Sequence, residues 1–222
     1  MKIALCFYGE ARHVVLCYDK IYENLIKNND VDVFIHTWRN KDFSDALEIY
    51  NPISFHVSSP MTFNFKKKHS VNYYNCLPQA YSISSVRKLK MDYELENNFK
   101  YDIVIKTRFD LMPLNTIDFS KIPLDKINVC SQRQPNSRWF DDNLTITNSI
   151  LFDKLFDMFN HIDEYLTLKN AQDYNTPGIE FFGEGMHLFF SDYHNVYNKI
   201  NKMNELNWNI AREQNGNYLL IT

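Results

Sequence analysis

Short apolar runs, each followed by a turn or by polar residues, predict the strands at the start of this chain. The runs cover residues 2–8 (KIALCFY), 31–38 (VDVFIHTW) and, more weakly, 53–57. Their length and their content of β-branched and aromatic residues are typical of buried strands. Between the first two runs, apolar residues at helical spacing predict a helix over about residues 18–27.

The same alternation of strands and helices continues along the rest of the chain. Strands separated by helices predict an α/β domain with a mostly parallel central sheet flanked by helices. No internal repeat, low-complexity segment or linker divides the chain, which favours a single domain. The remaining predicted elements are a long helix from Pro78, strands at residues 101–107, 127–131 and 144–147, a helix capped by Ser149, a helix over 180–191 and a strand at 218–221.

Three polar segments follow predicted strands and are the first candidates for a binding site. Ligands in open α/β sheets bind at the carboxyl ends of strands, which directs attention to residues 9–13, 36–39 and 107–111. In the first segment Gly9 permits a sharp turn, and Arg12 offers a planar fork of donors to a phosphate or a base edge. A surface arginine in a turn is an equal alternative.

The second segment is His36-Thr37-Trp38. An indole at a strand end either packs in the core or lines a pocket, and both interpretations stay open for Trp38. His36 lies inside an apolar run, a position more typical of a hydrogen-bonded core histidine than of a metal ligand.

The third segment, Lys106-Thr107-Arg108-Phe109-Asp110, ends a buried run with a carboxylate beside two cations. The period of two places Lys106, Arg108 and Asp110 on one side of an extended backbone. An aspartate there can bind a divalent cation that bridges diphosphate oxygens, and the two cations can neutralise phosphate charge. The alternative is a structural Arg–Asp pair at a sheet edge.

Carboxylates gather again later in the chain. Asp141-Asp142-Asn143 precedes a short apolar run, and Glu180 and Glu184 are spaced to share one face of a helix. Such carboxylates can act as a general base or bind sugar hydroxyls. A solvated acidic loop and an exposed helix face explain the same pattern. His187 and His194 match no metal-binding spacing.

Composition and charge exclude several classes of protein. The chain has 222 residues and a net charge of −3, and its longest basic run is residues 66–68, so we expect no nucleic-acid partner. No run of 18 apolar residues predicts a membrane span, and no signal peptide is evident. The four cysteines show no CxxC spacing and predict reduced thiols in the cytoplasm. The absence of GxGxxG, GxxxxGK[ST], HExxH and GxSxG argues against dinucleotide oxidoreductases, P-loop enzymes, zincins and α/β-hydrolases.

Four stretches, taken in order, carry a resemblance to a known family. They are KIALCFYGEARH, VDVFIHTW, QAYSISSVRKLKMDYE with YDIVIKTRFDL, and DDNLTITNSILFDKLFDMFNHIDEY. Together they resemble the small GT-A-fold glycosyltransferases of bacterial surface-polysaccharide clusters and large DNA viruses. The resemblance runs from residue 2 to about residue 165 and is weaker over 180–196. Glu10 stands where the family's Gly-Gln-x-Arg pattern has glutamine.

The resemblance implies a GT-A-like single domain that works in polysaccharide biosynthesis. Residues 1–111 would form the nucleotide-sugar-binding half and residues 112–222 the acceptor-side half. The activity implied is transfer of a sugar from a nucleotide-diphosphate sugar to a glycan acceptor.

The resemblance also assigns roles to individual residues. Asp110 would hold the diphosphate through Mn²⁺ or Mg²⁺, although Arg108 stands where the usual DxD motif has its first aspartate. Asp142 or Glu184 would be the catalytic carboxylate near the acceptor hydroxyl. The residues expected to bind the donor are Tyr8, Gly9, Arg12, Thr37, Trp38, Arg87, Arg108 and Asp110.

Two other functions remain open at the level of sequence. A degenerate transferase fold that binds glycans or nucleotides without turnover would explain the arginine in the DxD position. A sugar nucleotidyltransferase fits less well, because that class needs a glycine-rich loop near its start and this chain has only Gly9 there.

Overall fold

The computed structural model describes most of the chain as two β-sheets with helices packed around them. A seven-stranded sheet forms the centre, and a three-stranded sheet lies beside it. This confirms the α/β class and the mostly parallel central sheet flanked by helices, and it agrees with the GT-A-like fold that the resemblance implies. The division into two functional halves stays a prediction. The described residues are 1–61, 71–131, 137–166, 174, 182–214 and 217–221.

The described residues of the first half form four strands and three α-helices. The predicted helix near residue 18 begins at Val14 and ends in one π-helical turn, and α2 has no counterpart among the predicted elements. The elements are β1 (Lys2–Phe7), α1 (Val14–Ile21), the π-helical turn (Tyr22–Ile26), β2 (Asp30–Trp38), α2 (Phe43–Tyr50), β3 (Ser54–Ser58), α3 (Val71–Glu96) and β4 (Ile103–Thr107).

The described residues of the second half form six strands and three α-helices. The predicted strand near the end of the chain is β10, whereas β5, β8 and β9 were not predicted. The helix predicted over 180–191 begins at Gly183, and Glu180 lies outside the described residues. The elements are β5 (Leu111–Pro113), β6 (Ile127–Cys130), β7 (Thr145–Thr147), α4 (Ser149–Leu155), α5 (Ile162–Tyr165), α6 (Gly183–Tyr193), β8 (Ile200–Met203), β9 (Trp208–Gln214) and β10 (Asn217–Ile221).

Two predicted helix starts are wrong, each for a local reason. Pro78 does not open α3 but lies inside it, because the helix already begins at Val71. Ser149 does not cap α4; Asn148 does, since its side chain accepts a hydrogen bond from the Leu151 amide. The Ser149 hydroxyl instead donates to Glu94 at 2.6 Å and so ties α4 to α3.

The central sheet has the strand order β3-β2-β1-β4-β7-β6-β8. Every strand except β7 runs in the same direction, because β7 is antiparallel to both of its neighbours. The carboxyl ends of β3, β2, β1 and β4 therefore lie along one edge, where binding sites of such sheets form. The small antiparallel sheet, β10-β9-β5, begins directly after β4.

The core lies on both faces of the central sheet, as the alternation of side chains along β1 shows. Ile3, Leu5 and Phe7 pack toward α1, α2 and the small sheet. Ala4 and Cys6 pack toward α3, α4 and α6 on the opposite face. Period-two alternation with both faces covered is the arrangement expected of a buried central strand. All four cysteines are buried, and none of them forms a disulfide.

The 26-residue helix α3 covers one face of the sheet and carries a buried ionic cluster. The Lys90 ammonium, fully buried, lies 2.9 Å from Glu94 and 2.6 Å from Asp153. Opposite charges this close offset much of the cost of removing each from water. Within the described residues, no helix combines the length and the apolar character needed to cross a bilayer.

Candidate active site

A cleft of about 460 Å³ opens at the carboxyl ends of β1, β2 and β4. Arg212 reaches it from the small sheet, while α3 and the loop before β7 supply further walls. Six of the predicted site residues line it: Tyr8, Gly9, Arg12, Trp38, Arg108 and Asp142. The other lining residues are Glu10, Asn75, Pro78, Gln79 and Arg212.

The loop after β1 is held in place by a serine of α3 and a threonine of β2. The Gly9 amide donates to the Ser82 hydroxyl at 2.7 Å, and the Ala11 amide donates to Thr37 Oγ1 at 3.1 Å. Gly9 has a φ of 91°, a conformation that side-chain-bearing residues rarely adopt, although a Cβ would meet no atom within 4 Å. The glycine is therefore needed for its backbone conformation, and the turn brings Arg12 to the cleft.

The three residues at the end of β2, His36, Thr37 and Trp38, have different roles. Thr37 is fully buried and fixes the loop, so it supports the cleft without lining it. Trp38 lines the cleft but is only 7% exposed and packs against Tyr81. Burial lowers the pKa of His36 to about 3, and the Ser82 and Ser58 hydroxyls contact its two ring nitrogens. His36 is thus a neutral core residue, as its place in an apolar run indicated.

Asp110 is the centre of an arginine cluster. Its carboxylate is almost fully buried and accepts two hydrogen bonds from Arg108, from Nε at 2.8 Å and from Nη2 at 2.7 Å. Arg212 Nη1 lies 2.5 Å from Oδ2, and Arg12 Nη2 lies 3.7 Å from it. Burial acts to raise the pKa of Asp110, but Arg108, Arg12 and Arg212 outweigh it and lower that pKa. Asp110 is therefore ionised and held among three cations.

The junction between the two sheets brings these residues together. β4 ends at Thr107, and the chain turns through residues 108–110 into β5. Phe109 is buried in this turn and stacks on Phe7 with 4.8 Å between ring centroids. The turn also contains the Arg–Asp pair that sequence analysis left open as a structural alternative.

Arg212 is a cleft residue that sequence analysis missed. β9 pairs with β5, and the Ala211 amide donates to the Asp110 carbonyl at 2.8 Å, which places Arg212 beside that carboxylate. The sequence pattern that could have predicted this strand is the spacing by two of Trp208 and Ile210, both of which are buried. No local pattern indicates that this strand pairs with residues nearly a hundred positions earlier.

The donor set around Asp110 does not fit the divalent cation that the resemblance implies. Mn²⁺ and Mg²⁺ require several oxygen ligands, whereas the two Asp110 oxygens contact arginine nitrogens. Three guanidiniums close to this carboxylate would also repel a cation. Within the described ranges, no cluster of three or more His, Cys, Asp or Glu side chains is arranged to hold a metal ion.

Asp142 provides a carboxylate of a different kind. Its Oδ2 accepts a hydrogen bond from Gln79 at 2.8 Å, and its main-chain carbonyl accepts one from the Tyr8 hydroxyl at 2.9 Å and one from the Lys106 ammonium. Burial acts to raise the pKa of Asp142, but its charged and polar neighbours outweigh burial and lower that pKa. Asp142 is therefore ionised at neutral pH, and it lines the cleft.

Lys106 and His187 form the buried support beneath Asp142. Burial lowers the pKa of Lys106 from 10.5 to about 8, and its ammonium lies 4.6 Å from the Tyr8 ring centroid. Burial and the Lys106 charge lower the pKa of His187 to about 3, so its ring is neutral at pH 7. His187 Nδ1 contacts the Gly183 carbonyl at 2.8 Å, where α6 begins.

Adjacent aspartates in this loop have separate roles. Asp141 is buried, and its carboxylate accepts hydrogen bonds from Asn143 Nδ2 at 2.8 Å, the Leu144 amide at 3.1 Å and Trp208 Nε1 at 3.0 Å. Burial and the neighbouring Asp142 raise its pKa. Asp141 thus shapes the loop and ties it to β9, while Asp142 faces the cleft.

Besides Thr37 and Asp110, two predicted site residues do not line the cleft, Glu184 and Arg87. Glu184 is half-buried at the second position of α6. The preceding Gly183 packs so tightly on Asp142 that a Cβ there would lie 2.1 Å from Oδ2. Arg87 donates to the Asp153 carbonyl at 2.6 Å and to Asp157 at 3.2 Å, so it joins α3 to the segment around α4.

Comparisons with known proteins add little to this picture. No family model and no curated protein matches the chain. Among solved structures it is similar to the glycosyltransferase GlyE of Streptococcus pneumoniae TIGR4, with a TM-score of 0.47 and 10% identity. The likeness covers 91% of this chain and 44% of the GlyE chain, so this chain spans less than half of that protein's length. At this score and identity the likeness carries no argument about the reaction.

Proposed function

We propose that this protein is a glycosyltransferase that moves a sugar from a nucleotide-diphosphate sugar to a glycan acceptor. The observation that carries the proposal is one cleft lined both by a cluster of arginines and by an ionised carboxylate, Asp142. The cluster suits an anionic diphosphate, and the carboxylate suits a sugar hydroxyl. The family resemblance of the sequence supports the same reaction.

The arginine cluster acts on the donor. When the bond between the anomeric carbon and the diphosphate oxygen breaks, its electron pair passes to the diphosphate. Positive charge already fixed in the cleft stabilises the negative charge that develops there. Arg108 is oriented by Asp110 and by Asn143 Oδ1, which accepts from its Nη1 at 3.3 Å. The protein therefore pays little reorganisation energy at the moment of reaction.

Asp142 acts on the acceptor. In this proposal its carboxylate accepts a hydrogen bond from the attacking hydroxyl and orients that oxygen toward the anomeric carbon. In an inverting transfer the acceptor proton passes to Asp142 as the new bond forms. The lowered pKa of Asp142 keeps it ionised and ready to accept a hydrogen bond at neutral pH.

The experiment that tests this function measures release of nucleoside diphosphate from a panel of nucleotide sugars, with and without mixed glycan acceptors. We expect release from at least one donor, increased by an acceptor. Release that no acceptor increases would identify hydrolysis rather than transfer and would contradict the proposal.

A non-catalytic binding module is the second candidate, and the cluster around Asp110 is what favours it. A cleft with three arginines can hold a nucleotide without turning it over, and Asp110 lacks the donor set of a catalytic metal. Binding of a nucleotide sugar with no release of product from any donor would establish this function instead.

A further inference from the structure

The arginine cluster is defined as Arg12, Arg108 and Arg212, which surround Asp110. We infer that these arginines hold the donor diphosphate directly, in the place that a divalent cation occupies in a metal-dependent transferase. The inference rests on the proposed function, because it names how the same cleft recognises its donor.

The net charge of the cluster favours the binding of an anion. Three guanidiniums face two carboxylates, Asp110 and Glu10, the second of which lies 3.5 Å from Arg12 Nε. Burial opposes the charge on Arg108, but its contacts with Asp110 outweigh burial and raise its pKa, so it stays protonated. The cluster therefore keeps a net positive charge before a donor binds.

The geometry of the cluster leaves arginine N–H groups that can donate hydrogen bonds to a ligand. A guanidinium carries five N–H groups, and the contact of Arg212 with Asp110 uses Nη1 alone. Arg12 approaches Asp110 only to 3.7 Å, which is a charge contact and not a hydrogen bond. All three arginines line the cleft. Planar forks of this kind match phosphate oxygens in pairs, which a single ammonium does not.

Asp110 is the positioning residue of the cluster. It is 1% exposed, so a ligand reaches the arginines and not the carboxylate itself. By holding Arg108 through two hydrogen bonds and Arg212 through another, it fixes their side chains before the donor arrives. Fixed side chains lose less conformational entropy on binding, which favours affinity.

The test is calorimetric titration of the full chain with inorganic pyrophosphate and with a panel of nucleoside diphosphates, in EDTA and then in Mn²⁺. We expect binding in EDTA, and a change of less than about threefold when Mn²⁺ is added. Arg212→Met should weaken binding by roughly 10- to 100-fold, since it removes charge-assisted hydrogen bonds. Arg138→Met is the matched control, because Arg138 also pairs with an aspartate, Asp192, but does not line the cleft.

Two further variants keep the result interpretable. Arg212→Lys retains the positive charge but lacks the planar fork of N–H groups. Its affinity for the probes should therefore lie between those of the wild type and Arg212→Met. Arg12→Met changes a half-exposed loop residue, so it should fold normally and still weaken binding. A melting curve of each variant separates loss of affinity from loss of fold.

Two outcomes would overturn the inference. Binding that EDTA abolishes and Mn²⁺ restores would show a bridging metal, and the proposed function would still stand. Failure of every probe to bind, with or without Mn²⁺, would remove both the inference and the proposed function.

Discussion

Two carboxylates beside one cleft, Asp110 and Asp142, are both ionised but have different hydrogen-bond partners. The Asp110 oxygens contact arginines, so this residue orders cations. The Asp142 carboxylate accepts from the neutral Gln79 amide, while the nearby Lys106 donates to its main-chain carbonyl. Under the proposed function, the partners of an aspartate, more than its charge, decide whether it organises the site or reacts in it.

The largest expected effect is that of Asp142→Asn on turnover. The amide cannot accept a proton, so kcat should fall by roughly 10²- to 10⁴-fold while the affinity for the donor changes little. Steady-state kinetics with a fixed acceptor measure both quantities. Asp92→Asn, at a half-exposed residue paired with Lys88, is the control and should retain full activity. An Asp142→Asn variant with wild-type kcat would remove Asp142 from the reaction.

Asp110→Asn should give the opposite pattern and a smaller loss. Without its negative charge the arginines lose their alignment, and we expect roughly a tenfold weaker affinity for nucleoside diphosphate. The free energy of unfolding should fall by about 2 kcal/mol, because Arg108 is left partly buried without its partner. Calorimetry and urea denaturation measure the two effects. If kcat fell while affinity held, the distinction between the two carboxylates would be wrong.

The support beneath Asp142 predicts a pH dependence. The folded-state pKa of Lys106, about 8, lies below its ordinary value of 10.5, so between these values the unfolded chain binds a proton that the folded protein does not. Stability should therefore rise as the pH increases from 8 to 10.5, at most by about 1.4 kcal/mol per pH unit. Lys106→Met should lack this rise.

Urea denaturation of the wild type and Lys106→Met at several pH values measures that difference. Lys88→Met, which removes an exposed lysine of α3, is the control and should keep the wild-type slope. Parallel curves for the wild type and Lys106→Met would show that Lys106 keeps its ordinary pKa.

The smallest expected effect on binding is that of Arg87→Met. Arg87 contacts the segment around α4 and does not line the cleft, so donor affinity should change by less than about twofold. Stability should fall by about 1 kcal/mol through the lost hydrogen bonds. Calorimetry and a melting curve distinguish the two effects. A tenfold loss of donor affinity would show that Arg87 contributes to the donor site.

The parts of the fold that the sequence predicted are those with a strong local pattern. Two central strands were predicted, from the run of residues 2–8 and from the β-branched run that ends at Thr107. The position of Gly9 and Arg108 after these strands marked both residues as candidates for the binding site. The elements that were missed are short or lack a clear period, such as α2 and β5. Their stability comes from packing, which a single sequence does not display.

The candidate site was predictable to the same extent. Arg12 follows a recognisable apolar run and Asp142 precedes one, so their types and positions suggested chemistry. The expectation of a metal at Asp110 did not fit, because Arg212 approaches that carboxylate from β9, through a pairing of distant strands. Contacts between residues about a hundred positions apart are set by the topology of the fold, so the local sequence pattern does not predict them.

The turn at residues 108–110 joins the two sheets, and this has a consequence for how the chain responds to its ligand. A diphosphate held by Arg108 and Arg212 would link the end of β4 to β9 without a covalent bond. Opening of the small sheet would then require the ligand to leave. Amide hydrogen exchange in β5 and β9 should therefore slow in proportion to ligand occupancy, while exchange in the distant β8 stays unchanged.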